Sequence, residues 1–213
     1  TRPNAAMALA NVHLDLDPTL QGFDWRAQGG SRLGVFIGTG SIALPQNAPA
    51  QIQIAMMEAG GIQARGVLRP ITGGLAGTIT LGGAATGTLQ LDVENGLPRI
   101  RADVDARNAK LSGSIVLAVQ RGRFVGTILL DPRGTAIEGQ VTARNLQYGG
   151  FGVARLSGSL RMAAGRGEVQ GSIAGSRGRD FDVDATVRFN SDRVTMSGRG
   201  TIDRLPVALD APA

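Results

Sequence analysis

Along most of this chain polar and apolar residues alternate one by one. The clearest stretch runs from Gly134 to Met162. In its first half Ile137, Gly139, Val141 and Ala143 fall on one side, with Glu138, Gln140, Thr142 and Arg144 on the other. In its second half Ala154, Leu156, Gly158, Leu160 and Met162 oppose Val153, Arg155, Ser157, Ser159 and Arg161. A period of two marks a strand with one apolar and one wet face. Tyr148-Gly149-Gly150 joins the halves, and this strand–turn–strand unit is the module the rest of the chain repeats.

Upstream, the runs VHLDL, LQGFDWRA, LGVFI and SIAL are separated by Asp-Pro or Gly, and Pro45 and Pro49 make 45–50 a loop. Ile52, Ile54 and Met56 then alternate with Gln51, Gln53 and Met57, although QIQIAMMEA is also the best place in the chain for a short helix. Leu89, Leu91 and Val93 oppose Gln90, Asp92 and Glu94. Asn95-Gly96 predicts a type I′ hairpin turn, in which both central residues need positive φ. The return strand sets Ile100, Ala102, Val104 and Ala106 against Arg101, Asp103 and Asp105. Further strands are expected over Leu111 to Val119 (apolar Leu111, Ile115, Leu117 and Val119) and Phe124 to Leu130 (Phe124, Ile128 and Leu130). Near the end Phe181, Val183, Ala185, Val187 and Phe189 oppose Asp182, Asp184, Thr186, Arg188 and Asn190, before Val194, Met196 and Gly198. About fifteen short strands with turns every ~8–13 residues and no firm helix make an all-β chain. Residues 1–213 read as one continuous segment, most regular from about residue 75.

Glycine changes this picture more than any other residue. The chain has 32 glycines and only 4% aromatic residues, so its apolar surface is carried by small side chains spread thinly. Gly-[Ser/Thr]-[Ile/Leu] recurs at Gly40, Gly77, Gly87, Gly113, Gly126, Gly158, Gly171 and Gly200. In each, the glycine and the Ile/Leu share the apolar face, where a missing side chain relieves crowding in a curved sheet. A second repeat pairs Ala106-Arg107-Asn108-Ala109 and Leu111-Ser112-Gly113-Ser114-Ile115 with Ala143-Arg144-Asn145-Leu146 and Leu156-Ser157-Gly158-Ser159-Leu160.

Charge and chemistry exclude more than they suggest. The net charge of +5 comes almost wholly from arginine, with Lys110 the single lysine. The charges sit singly along the sequence, without the basic clusters of a nucleic-acid binder, so no nucleic-acid partner is expected. Arg121-Gly122-Arg123 and Arg177-Gly178-Arg179 read as arginines of solvated turns, with contact to anionic lipid headgroups as the alternative. With no cysteine and one histidine, His13, there is no disulfide framework and no His-rich metal site. Gly38-Thr39-Gly40-Ser41-Ile42-Ala43 imitates a dinucleotide fingerprint, but Pro45 and Pro49 forbid the helix it must open, so a turn between strands is expected instead. Asp103/Asp105 and Asp182/Asp184 are acid pairs, but they fall on the wet face among arginines, where solvated or cross-strand-paired charges belong. Trp25 and Tyr148 read as packing residues. No residue set looks catalytic, no enzyme activity is expected, and no cofactor or metal is called for.

The regular amphipathic strands, the phrase QVTARNLQYGGFGVARLSGSLRM and the closing TMSGRGTIDRLPVALDAPA resemble the TamB and AsmA-like proteins of Gram-negative envelopes. The resemblance rests on repeat style over most of the chain. It implies an elongated, curved, mainly antiparallel sheet forming an open apolar groove, a "β-taco", with phospholipid acyl chains as its partner. It also implies a role in moving phospholipids between inner and outer membrane, or in outer-membrane protein assembly with a barrel protein bound outside this stretch. A periplasmic location follows, with an inner-membrane anchor expected outside this segment of a longer protein. The groove lining would be Leu89, Leu91, Val93, Ile100, Val104, Ile115, Leu117, Phe124, Ile128, Ile137, Val141, Leu156, Leu160, Phe181, Val183, Val187 and Met196. Moving a lipid through water exposes its chain at about 0.8 kcal/mol per CH₂, so one sixteen-carbon chain costs on the order of 12 kcal/mol without such a trough. The other reading is a structural or adhesive β-solenoid whose apolar face closes into a dry core.

Overall fold

A computed structural model describes residues 10–31, 33–112, 116–148, 151–164, 166–176, 179–189 and 194–212; for 110–112, 116, 117, 148, 151, 152, 176, 187, 189, 194, 196 and 209–212 the description covers backbone only. The alternation becomes fifteen strands. These are β1 (Ala10–Thr19), β2 (Gly22–Ser31), β3 (Gly34–Ala43), β4 (Gln51–Ala59), β5 (Ile62–Ile71), β6 (Gly74–Gly83), β7 (Ala85–Glu94) and β8 (Leu97–Ser112). They continue as β9 (Val116–Leu129), β10 (Ala136–Tyr148), β11 (Phe151–Ala163), β12 (Arg166–Ser176), β13 (Asp180–Phe189), β14 (Val194–Ile202) and β15 (Leu205–Pro212). Each strand pairs antiparallel with its neighbours in sequence, giving one open, curled meander. Fourteen gaps of about 4.8 Å make the sheet roughly 70 Å long in the hydrogen-bonding direction.

Short turns set the register. Asn95 and Gly96 have φ of 52° and 79° between paired Glu94 and Leu97, the type I′ geometry that Asn-Gly predicts. Asp203-Arg204, at 49° and 67°, closes the last hairpin between Ile202 and Leu205. A two-residue turn makes its flanking pair hydrogen-bonded, so positions 205, 207, 209 and 211 bond to β14 while Pro206 and Pro212 face outward. At the other edge Pro18 lies in β1. Proline, which has no N–H to offer, is tolerated at such positions and blunts both edges.

Several expectations are corrected. QIQIAMMEA is strand β4, because its ends pair on both sides with β3 and β5. Within it Ala55 is an extra residue: Gly40 pairs with Ile54, but Thr39 with Met56. That bulge reverses the alternation, so Met57, not Met56, joins Ile52 and Ile54 on the apolar face. The expected strand Leu111 to Val119 is two strand ends, since Leu111 pairs with Leu117 across the β8–β9 hairpin. Gly38-Thr39-Gly40 lies inside β3 and Arg121-Gly122-Arg123 inside β9, so neither is a turn.

There is little enclosed core. The solvent-accessible area is 14022 Å² for a 22.0 kDa chain, against about 9,300 Å² for a compact monomer of that mass. The sheet is covered on neither face among the described residues. One face is nevertheless shielded, because the sheet curls towards it, and glycine permits the curl. Gly158 and Gly171 face each other across β11 and β12. A Cβ on Gly171 would overlap the Ser157 carbonyl oxygen and sit 2.8 Å from Gly158 Cα. Gly82, by contrast, has open space where its Cβ would be.

Gly171→Ala is expected to cost about 2 kcal/mol by forcing β11 and β12 apart, whereas Gly82→Ala stays within about 0.5 kcal/mol of the parent. Urea unfolding of both variants checks this. Equal midpoints would mean that the glycine contact does not shape the sheet.

Candidate functional site: an apolar face across fifteen strands

Directly paired residues of antiparallel strands share a face, so the register traces what each face presents. From Leu16 and Trp25 the central file runs through Gly40, Ile54, Gly66, Ile79, Leu89, Ala102, Gly126, Gly139, Leu160 and Val169. Its paired positions then continue through Val187 and Met196 to Ala211 on β15. Every position is apolar or glycine. The neighbouring file, from Leu14 through Ala27, Gly38, Met57, Ala64, Leu81, Gly87, Val104, Phe124, Val141 and Gly158, behaves in the same way. On its other side Leu91, Ile100, Ile128 and Ile137 are in register.

Aromatic rings fill what glycine leaves open. A methyl group at Gly40 would sit 2.7 Å from Trp25 Cε2, and one at Gly126 or Gly139 would sit 2.8 Å from the ring of Phe124. Trp25 therefore lies over Gly40 and Phe124 over Gly139 of the adjacent strand, as well as over Gly126 of its own, the arrangement that restores packing where glycine exposes backbone. Trp25 also anchors the most buried cluster, with Ile54 and Leu68, against which Ile42, Ile52, Met57 and Ile79 pack. Its indole Nε1 lies buried there without a hydrogen-bond partner.

Of the residues expected to line a groove, Leu89, Leu91, Val93, Ile100, Val104, Phe124, Ile128, Ile137, Val141, Leu156, Leu160, Phe181 and Val183 lie on this one face. Leu117, Val187 and Met196 occupy paired backbone positions, and Ile115 lies outside the described residues. The expected set begins at Leu89 and so misses the most buried part, Trp25, Ile54 and Leu68. Alternation at Ile52 and Ile54 was the available signal, and the Ala55 bulge obscured it.

One departure from strict alternation spans four strands. Arg107-Asn108, Gln120-Arg121, Arg144-Asn145 and Ala154-Arg155 each expose two consecutive residues. Beyond this ridge the apolar face resumes one residue out of phase, as the file Ala109, Val119, Leu146 and Val153. Val153 thus belongs to the apolar side and Ala154 to the wet side, reversing the expectation. Asn108 and Asn145 make the step with φ of 48° and 49°, a left-handed conformation that asparagine tolerates better than other side chains. The Ala-Arg-Asn repeat is therefore one structural device used twice. Of its companion Leu-Ser-Gly-Ser repeat, Leu111 and Ser112 close β8 and Gly113 to Ile115 lie outside the described residues, while Leu156 to Leu160 lie mid-strand in β11.

The opposite face is polar and laced with ion pairs. Arg99 holds both oxygens of Asp92 at 2.7 Å and Glu94 at 2.6 Å. Arg123 spans Asp103 and Asp105 at 2.8 and 3.0 Å, Arg161 meets Glu138 at 2.6 Å, and Arg188 meets Glu168 at 2.6 Å. The acids at 103 and 105 thus share one arginine across strands, while Asp182 and Asp184 are exposed on the wet face. His13 lies 3.2 Å from Asp15 on edge strand β1, both exposed. No group of three or more His, Cys, Asp or Glu residues among those described is placed to hold a metal. No family model, no curated protein and no solved structure matches this chain.

Hydrogen bonds from arginine hold Asp92 and Glu168 below the ordinary carboxylate range, and Arg133 draws Asp131 down to about 2. Depressed folded-state values stabilise above the unfolded carboxylate range, near ~4, and that contribution is lost as pH falls through the folded values. The melting temperature is expected to hold from neutral pH to about 5 and to fall below about 4. Asp92→Asn combined with Glu168→Gln should flatten the acid limb in thermal melts. An unchanged limb would remove these pairs from the account.

Proposed function

We propose that this chain is a segment of a lipid-conducting periplasmic bridge, whose apolar sheet face carries phospholipid acyl chains between the inner and outer membranes. The observation that carries the reading is the unbroken apolar register over fifteen strands with no protein layer over it among the described residues. An apolar surface of that length is costly in water unless something apolar lies on it. An acyl chain is a suitable occupant: it is flexible, thin and unselective about side-chain detail. Binding removes the chain from water at about 0.8 kcal/mol per CH₂. Sliding from file to file changes that term little, so the cargo can move along the sheet.

The resemblance to TamB and AsmA-like proteins supports the same reading and supplies its setting, in the periplasm with the anchor and any outer-membrane barrel contact outside this segment. The protein's role is to shield and guide; no step needs a nucleophile, a proton donor or a cofactor. A solenoid reading is less well supported. Solenoids of the β-helix type stack parallel strands, whereas all pairings among the described residues are antiparallel between sequence neighbours.

A photo-crosslinking residue placed at Leu91 or Val183, in the full protein in cells, is expected to capture phospholipid, and one at Asp92 or Asp184 is not. Equal labelling of the two faces would overturn the proposal.

A further inference from the structure

The ridge where the pleat changes phase presents an alignment that the linear sequence hides. Arg107 pairs directly with Arg121, Arg121 with Arg144, and Arg144 with Arg155, on the adjacent strands β8, β9, β10 and β11. At about 4.8 Å per strand the four side chains stand in a row roughly 14 Å long. All four are exposed on the polar side of the sheet, and none forms an ion pair or side-chain hydrogen bond with another of the described residues. Of the nearby acids, Asp103 and Asp105 share Arg123. Asp182 is two strands beyond Arg155, with Ala174 between them, and lines a separate depression with it, without an ion pair.

Like charges facing each other across strands destabilise a sheet. Elsewhere on this face arginine repeatedly stands opposite or beside an acid, so a run of four unmatched arginines departs from the local rule. It is also built into the backbone: the left-handed asparagines Asn108 and Asn145 each follow one of these arginines and bring it to the ridge. Asn145 is itself held by a hydrogen bond from its Nδ2 to Gln120 Oε1 on the next strand. Beside the row a depression of about 450 Å³ is lined by Arg121, Arg123, Arg144 and Arg155 together with Thr142 and Ser157, and Asp105, which Arg123 holds, stands at its edge. Planar guanidinium groups and hydroxyls are the donors that recognise phosphate oxygens.

We propose that Arg107, Arg121, Arg144 and Arg155 form a binding site for a ligand carrying several phosphate groups, on the face opposite the apolar files. The inference does not depend on lipid occupying the other face. Its chemistry is shared by soluble polyphosphates and by the headgroups of anionic lipids, and the test separates these sources.

Binding of tripolyphosphate to the purified protein is measured by calorimetry, and binding to vesicles of phosphatidylglycerol, with phosphatidylcholine as the neutral control, by flotation. The double variant Arg121→Gln/Arg144→Gln is expected to bind about tenfold or more weakly. Arg65→Gln/Arg69→Gln changes the charge equally, at exposed arginines that face Thr80 and Ala76, and should bind like the parent. Loss confined to the ridge variant in the tripolyphosphate arm identifies a soluble ligand; loss confined to it in the vesicle arm alone identifies a lipid-borne one. No binding in either arm, or equal loss in both variants, overturns the site. Without ligand and at low salt, the ridge variant should melt at the same temperature as the parent or higher, because repulsion has been relieved. A lower melting temperature than the Arg65/Arg69 variant would make the arginines structural and overturn the proposal.

Discussion

Register is the constraint on which this structure depends. In a sheet with no covering layer, neither a dry core nor a second sheet corrects a misplaced strand. Each strand must arrive with its apolar set facing the same way, and a slip of one residue in any of them would break every file at that point. The chain enforces register locally, through two-residue turns such as Asn95-Gly96 and Asp203-Arg204. Where an irregularity enters, it is contained. The extra Ala55 realigns β4, and the step at Asn108 and Asn145 is shared by β8 to β11, so that Ala109, Val119, Leu146 and Val153 remain in one file.

The two faces solve different problems. The apolar face must bend without crowding, and it does so by dropping side chains where a neighbouring carbonyl comes close, as at Gly158 and Gly171, while Trp25 and Phe124 cover the backbone this exposes. The polar face, spread by the same curl, carries long side chains, several of which are matched in charge across strands. Such exposed pairs add modestly to stability and more to the choice of partner strand, since a shifted strand would set like charges opposite each other. Because strands contact chiefly their neighbours, stability accumulates step by step along the sheet, as in repeat proteins.

Much of the architecture was legible in the sequence. The number of strands, the absence of a helix over most of the chain, the Asn95-Gly96 turn and the sidedness of Leu89 to Val93, Ile100 to Ala106 and Phe181 to Val183 follow from a period of two. So does the paired-charge character of Asp103 and Asp105. The errors have a common cause. The period of two misplaces Met56 against Met57 and Val153 against Ala154, and it runs through the β8–β9 hairpin as if it were one strand. In each case one or two residues interrupt the period, and periodicity in one strand does not reveal how its neighbours absorb the interruption.

The sequence by itself determined which residues are apolar, how they alternate and where the chain turns, because those are properties of a few consecutive residues. Only the tertiary structure decided what stands beside what. Arg107, Arg121, Arg144 and Arg155 are isolated charges along the chain and a continuous row across the sheet. Gly40 is a strand-weakening residue in sequence and, in space, the place where Trp25 fits. The physical reason is the same in both cases: side-chain direction is set within a strand, but adjacency is set by hydrogen-bonded register between strands.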